Sequence, residues 1–157
     1  MGDPRHLVAT SLSKIEDLFN DAEMRDDSVS AWSVGEQLHH ALLAANKIME
    51  SLLASVPGER KESLNLRRKA ILTMGKIPRG RGKAPEASRP SSRVTRNELD
   101  GLLAGARQKL KATKSADPDA WWDHFVFGVM RLDKSLQFVH IHTEHHLEII
   151  NDIKKSK

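Results

Sequence analysis

The sequence predicts an all-α protein, a four-helix bundle with one long crossover between the second and third long helices. Three observations support this fold class. Apolar residues recur at three- and four-residue steps in four long segments, no segment shows the alternation typical of strands, and one Pro/Gly-rich stretch interrupts the helical pattern. The 157 residues are long enough to bury a core without disulfides or structural metal ions. We therefore expect residues 1–157 to form a single domain.

The first two long helices each carry a start signal. In DPRHLVATSLSKIEDLF, Pro4 suits a first helical turn, and one face is apolar: Leu7, Val8, Leu12, Ile15, Leu18 and Phe19. In WSVGEQLHHALLAANKIMESLLASV, Ser33 and Glu36 match a capping box, in which each side chain accepts a hydrogen bond from the other residue's backbone N–H. The second helix should therefore begin at about Ser33.

The connection that follows is strongly basic. Residues 60–96 hold twelve Lys or Arg against two Glu, although the whole chain has a net charge of only +4. A short helix is expected over residues 60–74. After it, MGKIPRGRGKAPEASRPSSR is dense in Pro, Gly and Ser and predicts a crossover at about 75–94. The interpretation is a solvated basic loop, or one that covers a site and attracts an anionic substrate.

The last two long helices follow the crossover. In TRNELDGLLAGARQKL, Thr95 and Glu98 form a second capping box, and the apolar face comprises Leu99, Leu102, Leu103, Ala106 and Leu110. The final segment, LDKSLQFVHIHTEHHLEIINDIKK, ends on lysines, which suit a helix C-terminus because the helix dipole is negative there.

Four of the eight histidines lie within one heptapeptide, HIHTEHH at residues 140–146. On a helical wheel of the fourth long helix, His146 lies near the centre of the apolar face and His142 about 40° to one side. Because residues four apart share one helix face, these two imidazoles can bind a single ion. The alternative is a pair of buried histidines that hydrogen-bond to neighbouring helices.

The other two histidines of the heptapeptide are expected to take no part in binding an ion. His140 lies well outside the apolar face near Glu144, where we expect a solvated imidazole. His145 lies on the flank, within reach of a neighbouring helix or of a second subunit. A third ligand would come instead from the second helix, where His39 and His40 lie on opposite sides of the apolar stripe and the periodicity does not choose between them.

Two segments resemble the DinB-like superfamily. WSVGEQLHHALLAA resembles its W-S-x-x-E-x-L-x-H segment, and HFVFGVMRLDKSLQFVHIHTEHHLEII resembles its closing H-P-x-F-G-x-L…F…H-x-x-H-H segment. The resemblance implies a four-helix bundle that holds one divalent metal ion through His40, His142 and His146, with His39 as the alternative to His40. Ile149 stands where many members have Gln, so we expect a polar group beside the site to be missing.

Three further residues of these segments have structural interpretations beside the functional ones. Trp32 is expected to pack on the bundle ahead of the helix cap, and Glu36 to act as the capping residue, with a bond to His40 as its alternative. His124, which precedes Phe125 where the family often has Pro, is expected to order the turn before the last helix. The alternative places His124 in the wall of a cavity.

The chemistry follows from the number and kind of ligands. Three histidines on a four-coordinate ion leave one position for water or substrate, as catalytic sites do. The resemblance implies a metal-dependent enzyme that activates water or a low-molecular-weight thiol, as a hydrolase or an S-transferase. We expect zinc, with nickel next, and a small-molecule substrate. Because the chain has no cysteine, any thiol would be exogenous.

Two other classes of function are weaker alternatives. One is a stress-associated metal-binding protein without catalysis. The other is nonspecific nucleic-acid binding through the basic crossover, which the sequence disfavours because no aromatic side chains are interleaved there to stack on bases. No apolar run approaches the roughly 18 residues of a membrane span, and the N-terminus lacks the apolar core of a signal peptide. We therefore expect a cytoplasmic protein without membrane contact, and a homodimer is left open.

Overall fold

The computed structural model describes residues 2–80 and 83–156, so Met1, Arg81, Gly82 and Lys157 of the predicted domain and crossover lie outside the described residues. The chain forms helices α1 (Pro4–Asp17), α2 (Val34–Ala54), α3 (Leu66–Met74), α4 (Arg96–Ala112) and α5 (Leu132–Lys155). The four long helices form a bundle in which α2 packs against both α4 and α5, and α1 packs against α5 and α4. The all-α fold class is confirmed. None of the described helices is long and apolar enough to cross a membrane.

Both predicted capping boxes are formed, and they place the starts of α2 and α4. The Oγ of Ser33 accepts from the Glu36 N–H at 3.2 Å, and the Glu36 carboxylate accepts from the Ser33 N–H at 2.7 Å. Thr95 and Glu98 make the same reciprocal pair at 3.2 and 2.7 Å. Because each box satisfies two backbone N–H groups that the helix leaves free, the helices begin at the next residue.

Helix α2 is covered on both flanks, since α4 and α5 lie on different sides of it. Its buried residues therefore extend beyond the apolar stripe and include His39 and His40. All four long helices contribute to the largest fully buried side chains, and residue 130, just before α5, adds one more: Leu12, Ile15, Leu38, Leu42, Met49, Leu52, Leu99, Met130, Leu132, Leu136, Ile150 and Ile153.

A short β-hairpin precedes α5, and the expectation of no strands is wrong on this point. Strands β1 (Trp121–His124) and β2 (Gly128–Arg131) pair antiparallel, with Trp121 opposite Arg131 and His124 opposite Gly128. Each strand has only four residues, which is too short for an alternating pattern to stand out in the sequence. Gly128 has φ of 68°, a backbone conformation that glycine adopts without steric cost.

The buried guanidinium of Arg68 attaches this hairpin to α3. Its Nη1 donates to the carbonyl oxygens of Phe127 at 3.1 Å and Val129 at 2.7 Å, and its Nη2 donates to the carbonyl of Ser63. The planar guanidinium holds its donors in a fixed fork, so one side chain can satisfy several carbonyl oxygens in a single defined geometry. The short helix predicted over residues 60–74 thus forms from Leu66 to Met74 and supports the hairpin.

Helix α3 and the crossover that follows it both contact α5, and the crossover then reaches α2. The side-chain amide of Gln137 donates to the Leu72 carbonyl, and Arg79 forms an ion pair with Asp152 at 2.7 Å. Further along the chain, a 3-10 turn at Glu86–Ser88 brings the buried Ser88 against His40. The crossover therefore lies over the faces of α5 and α2 that carry histidines.

We expect Gly35→Ala and Gly101→Ala to change stability in opposite directions. A Cβ at Gly35 would lie 3.0 Å from the Ala22 carbonyl oxygen and 3.2 Å from the Ala22 Cβ, whereas a Cβ at Gly101 meets no atom within 4 Å. Crowding at Gly35 should cost about 1–3 kcal/mol, and alanine at Gly101 should add about 0.5–1 kcal/mol because it restricts the unfolded chain. Urea unfolding measures both, and equal shifts would contradict the close packing at Gly35.

Candidate metal centre

Three histidines from two helices converge between α2 and α5. One ring nitrogen each from His40, His142 and His146 lies within 4.8 Å of the other two, and the Nε2 atoms of His40 and His142 are 3.3 Å apart. Among residues 2–80 and 83–156, no other group of three or more His, Asp or Glu side chains comes together in this way. The structure thus assembles the three residues that the resemblance implied.

The two histidines of α2 face different neighbours. His40 faces α5, with its ring centroid 5.1 Å from that of His142 and 4.6 Å from that of His146. His39 faces α4, where Glu98 is close enough to influence its pKa, and its buried Nδ1 has no hydrogen-bond partner among the described residues. The alternative of His39 is therefore not supported, because an ion between α2 and α5 is out of its reach.

Burial keeps the three converging imidazoles neutral. Desolvation lowers the pKa of His142 to about 3 and holds the pKa values of His40 and His146 below their usual range, and the neighbouring rings add to each effect. A low-dielectric surrounding disfavours the charged form of histidine. Each ring therefore has one nitrogen lone pair available at neutral pH, which a metal ligand requires.

Two of the rings contact polar groups outside the three-histidine set. His40 Nδ1 lies against the main-chain oxygen of Ser88, and His146 Nδ1 lies 2.6 Å from Oε1 of Gln37. The expectation that a polar group is missing beside the site is wrong, because α2 supplies Gln37. A sequence signal for it existed: Gln37 follows Val34 by three residues and precedes Ala41 by four, so it lies on the apolar face of α2.

Two aromatic rings lie beside the three histidines, and a capping residue begins the helix that carries His40. The Trp32 ring lies 5.1 Å from that of His40 and 6.4 Å from that of His146, so it packs on the bundle as expected. The Phe138 ring lies 5.9 Å from that of His142. The Glu36 carboxylate accepts from the Ser33 N–H and from the Arg25 guanidinium, so it acts as a cap and an ion-pair partner and not as a partner of His40.

The other two histidines of the heptapeptide lie outside the three-histidine group. His140 Nδ1 is 2.9 Å from the buried Oγ of Ser11, which donates to Glu144 at 2.8 Å. The expected position of His140 near Glu144 is right, but the ring is half-buried and not fully solvated, since α1 packs over that side of α5. His145 is half-buried on the flank, with its ring centroid 5.1 Å from that of His146.

His124 orders the hairpin turn. Its Nδ1 accepts hydrogen bonds from the backbone N–H groups of Val126 at 2.9 Å and Phe127 at 3.2 Å, and its ring packs against the Phe138 ring. Burial lowers the pKa of His124 from 6.5 to about 4, so the ring remains neutral and Nδ1 remains an acceptor at neutral pH. The turn interpretation is therefore supported over a role in a cavity wall.

Acid should destabilise the fold through His124. The unfolded chain binds a proton at this residue as the pH falls through 6.5, whereas the folded chain binds it only near 4. Stability that is fully present above pH 6.5 is therefore lost between pH 6.5 and 4. We expect His124→Asn, whose amide oxygen can still accept in the turn, to reduce this loss by about 1–3 kcal/mol. Urea unfolding of metal-free protein at both ends of the window measures it, and an unchanged pH dependence would contradict the assignment.

Comparison with known proteins gives a family match. A family model described as the DinB superfamily matches residues 8–150, a span that contains all three converging histidines. Searches of curated proteins and of solved structures find no match. Because the family model covers nearly the whole chain, the protein belongs to the DinB superfamily.

Proposed function

We propose that the chain binds one divalent metal ion through His40, His142 and His146. The observation that carries the proposal is the convergence of three neutral imidazoles from two helices. Metal–nitrogen distances of 2.0–2.1 Å in a tetrahedral site place ligand atoms roughly 3.3–3.4 Å apart. The Nε2 atoms of His40 and His142 are already 3.3 Å apart, so this pair fits an ion with little movement.

We propose zinc as the ion, with nickel next, because the donor set suits a transition metal and availability decides among those that imidazole binds. Imidazole suits zinc, nickel, copper and iron, whereas magnesium and calcium prefer oxygen ligands. The group of described side chains that converges here contains three histidines and no carboxylate. The cysteine-free chain offers no thiolate either. A nitrogen-only site of three ligands is therefore proposed to be a zinc site with one open position.

We further propose a metal-dependent enzyme that activates water or a low-molecular-weight thiol, as a hydrolase or an S-transferase. A divalent ion lowers the pKa of a bound water or thiol and so supplies hydroxide or thiolate at neutral pH. His142 is the member of the three that retains some solvent exposure, so a small substrate would approach from its side. The rings of Trp32 and Phe138 flank the histidines and would limit access of bulk water.

Metal analysis of protein purified without a polyhistidine tag tests the first part. We expect about one zinc or nickel ion per chain, removable by a chelator and restored on addition of the ion. Protein that binds no ion above the level of the His142→Ala variant would overturn the metal site. For the second part, loaded protein is screened with small thiols and electrophiles. Metal binding without turnover of any pair would favour the non-catalytic metal-binding alternative.

A further inference from the structure

The tautomer of His40 follows from its partner. A main-chain carbonyl oxygen can only accept a hydrogen bond, so the contact between His40 Nδ1 and the Ser88 oxygen requires a proton on Nδ1. Since the ring is neutral, Nε2 then carries only a lone pair. This leaves His40 with its free lone pair on the side of His142, because the Nε2 atoms of these two rings are 3.3 Å apart.

The tautomer of His146 depends on how the Gln37 amide is oriented. Ser30 Oγ accepts from the Trp32 N–H at 3.1 Å and lies 2.9 Å from the amide nitrogen of Gln37. With Gln37 donating to Ser30, its Oε1 faces His146 Nδ1 and must accept, so Nδ1 carries the proton and Nε2 is free. In the reversed orientation, Ser30 would donate to Gln37, and the Gln37 amide would donate to His146 Nδ1. The His146 proton would then lie on Nε2 and prevent that nitrogen from binding an ion.

The tautomer of His142 depends on its contact with His40. The 3.3 Å contact between its Nε2 and that of His40 is a hydrogen bond only if one of the two nitrogens carries a proton. Because His40 has its proton on Nδ1, a hydrogen bond at this contact requires the proton of His142 to lie on Nε2 in the metal-free protein. The Nε2 of His142 faces the other histidines. Its proton would have to move to Nδ1 before Nε2 could bind an ion, and the ring would stay neutral throughout.

We propose that Gln37 is a positioning residue that, together with the Ser88 carbonyl, presets His146 and His40 for metal binding. Both rings keep the proton on Nδ1 with and without metal, whereas His142 moves its proton from Nε2 to Nδ1 when an ion binds. The part concerning the ion rests on the proposed function, but the tautomers of the metal-free protein do not. Hydrogen bonds of this kind to the distant ring nitrogen typically change metal affinity by about 10–100-fold.

Long-range proton–nitrogen NMR of the histidine rings tests the assignment directly. At neutral pH, the metal-free protein should show His40 and His146 protonated on Nδ1 and His142 on Nε2, and addition of zinc should change the tautomer of His142 alone. A metal-free protein with His146 protonated on Nε2 would overturn the role of Gln37. If zinc fails to bind while these tautomers are observed, the proposed metal site is refuted and the assignment of Gln37 stands.

Substitutions separate positioning from packing. Gln37→Leu removes the acceptor and should weaken zinc binding at least about tenfold with loss of the single His146 tautomer. Gln37→Glu can only accept, so it should retain the Nδ1–H tautomer and zinc affinity within about threefold of wild type. Gln137→Leu is the matched control, because the Gln137 amide donates to the Leu72 carbonyl and not to a histidine. A glutamate variant as weak as the leucine variant, or a control as weak as either, would overturn the proposal.

Discussion

Replacing His142 with alanine should abolish stoichiometric metal binding while leaving the helix content near that of the wild type. The change removes one of three converging ligands, and two histidines from different helices hold an ion far more weakly than three. The fold should persist because the bundle core is large and continuous without the ion. Metal content measured by atomic spectroscopy and far-ultraviolet circular dichroism report the two quantities separately.

His6→Ala is a suitable control for this variant, since His6 is exposed on α1 and belongs to no metal-binding group among the described residues. It should keep the full metal content. A loss of the cooperative unfolding transition when the wild type is treated with a chelator would contradict the expectation, because it would mean that the ion holds the fold together.

The second large effect is a loss of zinc affinity when the proposed histidine ligand on α2 is removed. His40→Ala should weaken zinc affinity at least about tenfold, whereas His39→Ala should change it less than about threefold, a difference typical of a ligand against a neighbour. The two residues are adjacent in sequence and both buried, but only His40 faces α5. Competition with a chromophoric chelator at fixed pH measures the affinity, because the ligands must be deprotonated to bind.

The same assay separates ligands from bystanders on α5. His140→Ala and His145→Ala should each lower zinc affinity less than about threefold. His140 is directed to Ser11 on α1, and His145 lies on the flank of the helix. If His145→Ala proves as damaging as His142→Ala while His40→Ala has no effect, the proposed site is wrong.

The parts of the fold that were predictable are those that local physics determines. Ser33 with Glu36, and Thr95 with Glu98, specify helix starts through contacts three residues apart, and both starts are where the sequence places them. The hairpin was missed because it depends on distant partners. Arg68, about sixty residues away in sequence, donates to the Phe127 and Val129 carbonyls of the hairpin, and no periodicity within the hairpin predicts that contact.

The candidate site, like the fold, was predictable only where helical spacing within one segment determines it. Helical spacing was enough to predict that His142 and His146 face inward on α5, and both lie beside His40. Periodicity could not choose between His39 and His40. Helix α2 is covered on both flanks, so a residue outside its apolar stripe can still be buried. The burial of His140 was not predicted for a related reason. A helical wheel shows the apolar stripe of α5 but does not show where α1 covers that helix.

The contact between Ser88 and His40 is made by the main chain, and this affects which changes the crossover can accept over evolutionary time. A carbonyl oxygen is present whatever side chain the residue carries, so point substitutions at position 88 leave the acceptor in place. Insertions or deletions between α3 and α4 shift the path of the backbone and move the oxygen away. The crossover should therefore be free to drift in sequence while its length remains under selection, a pattern opposite to that expected of an unconstrained surface loop.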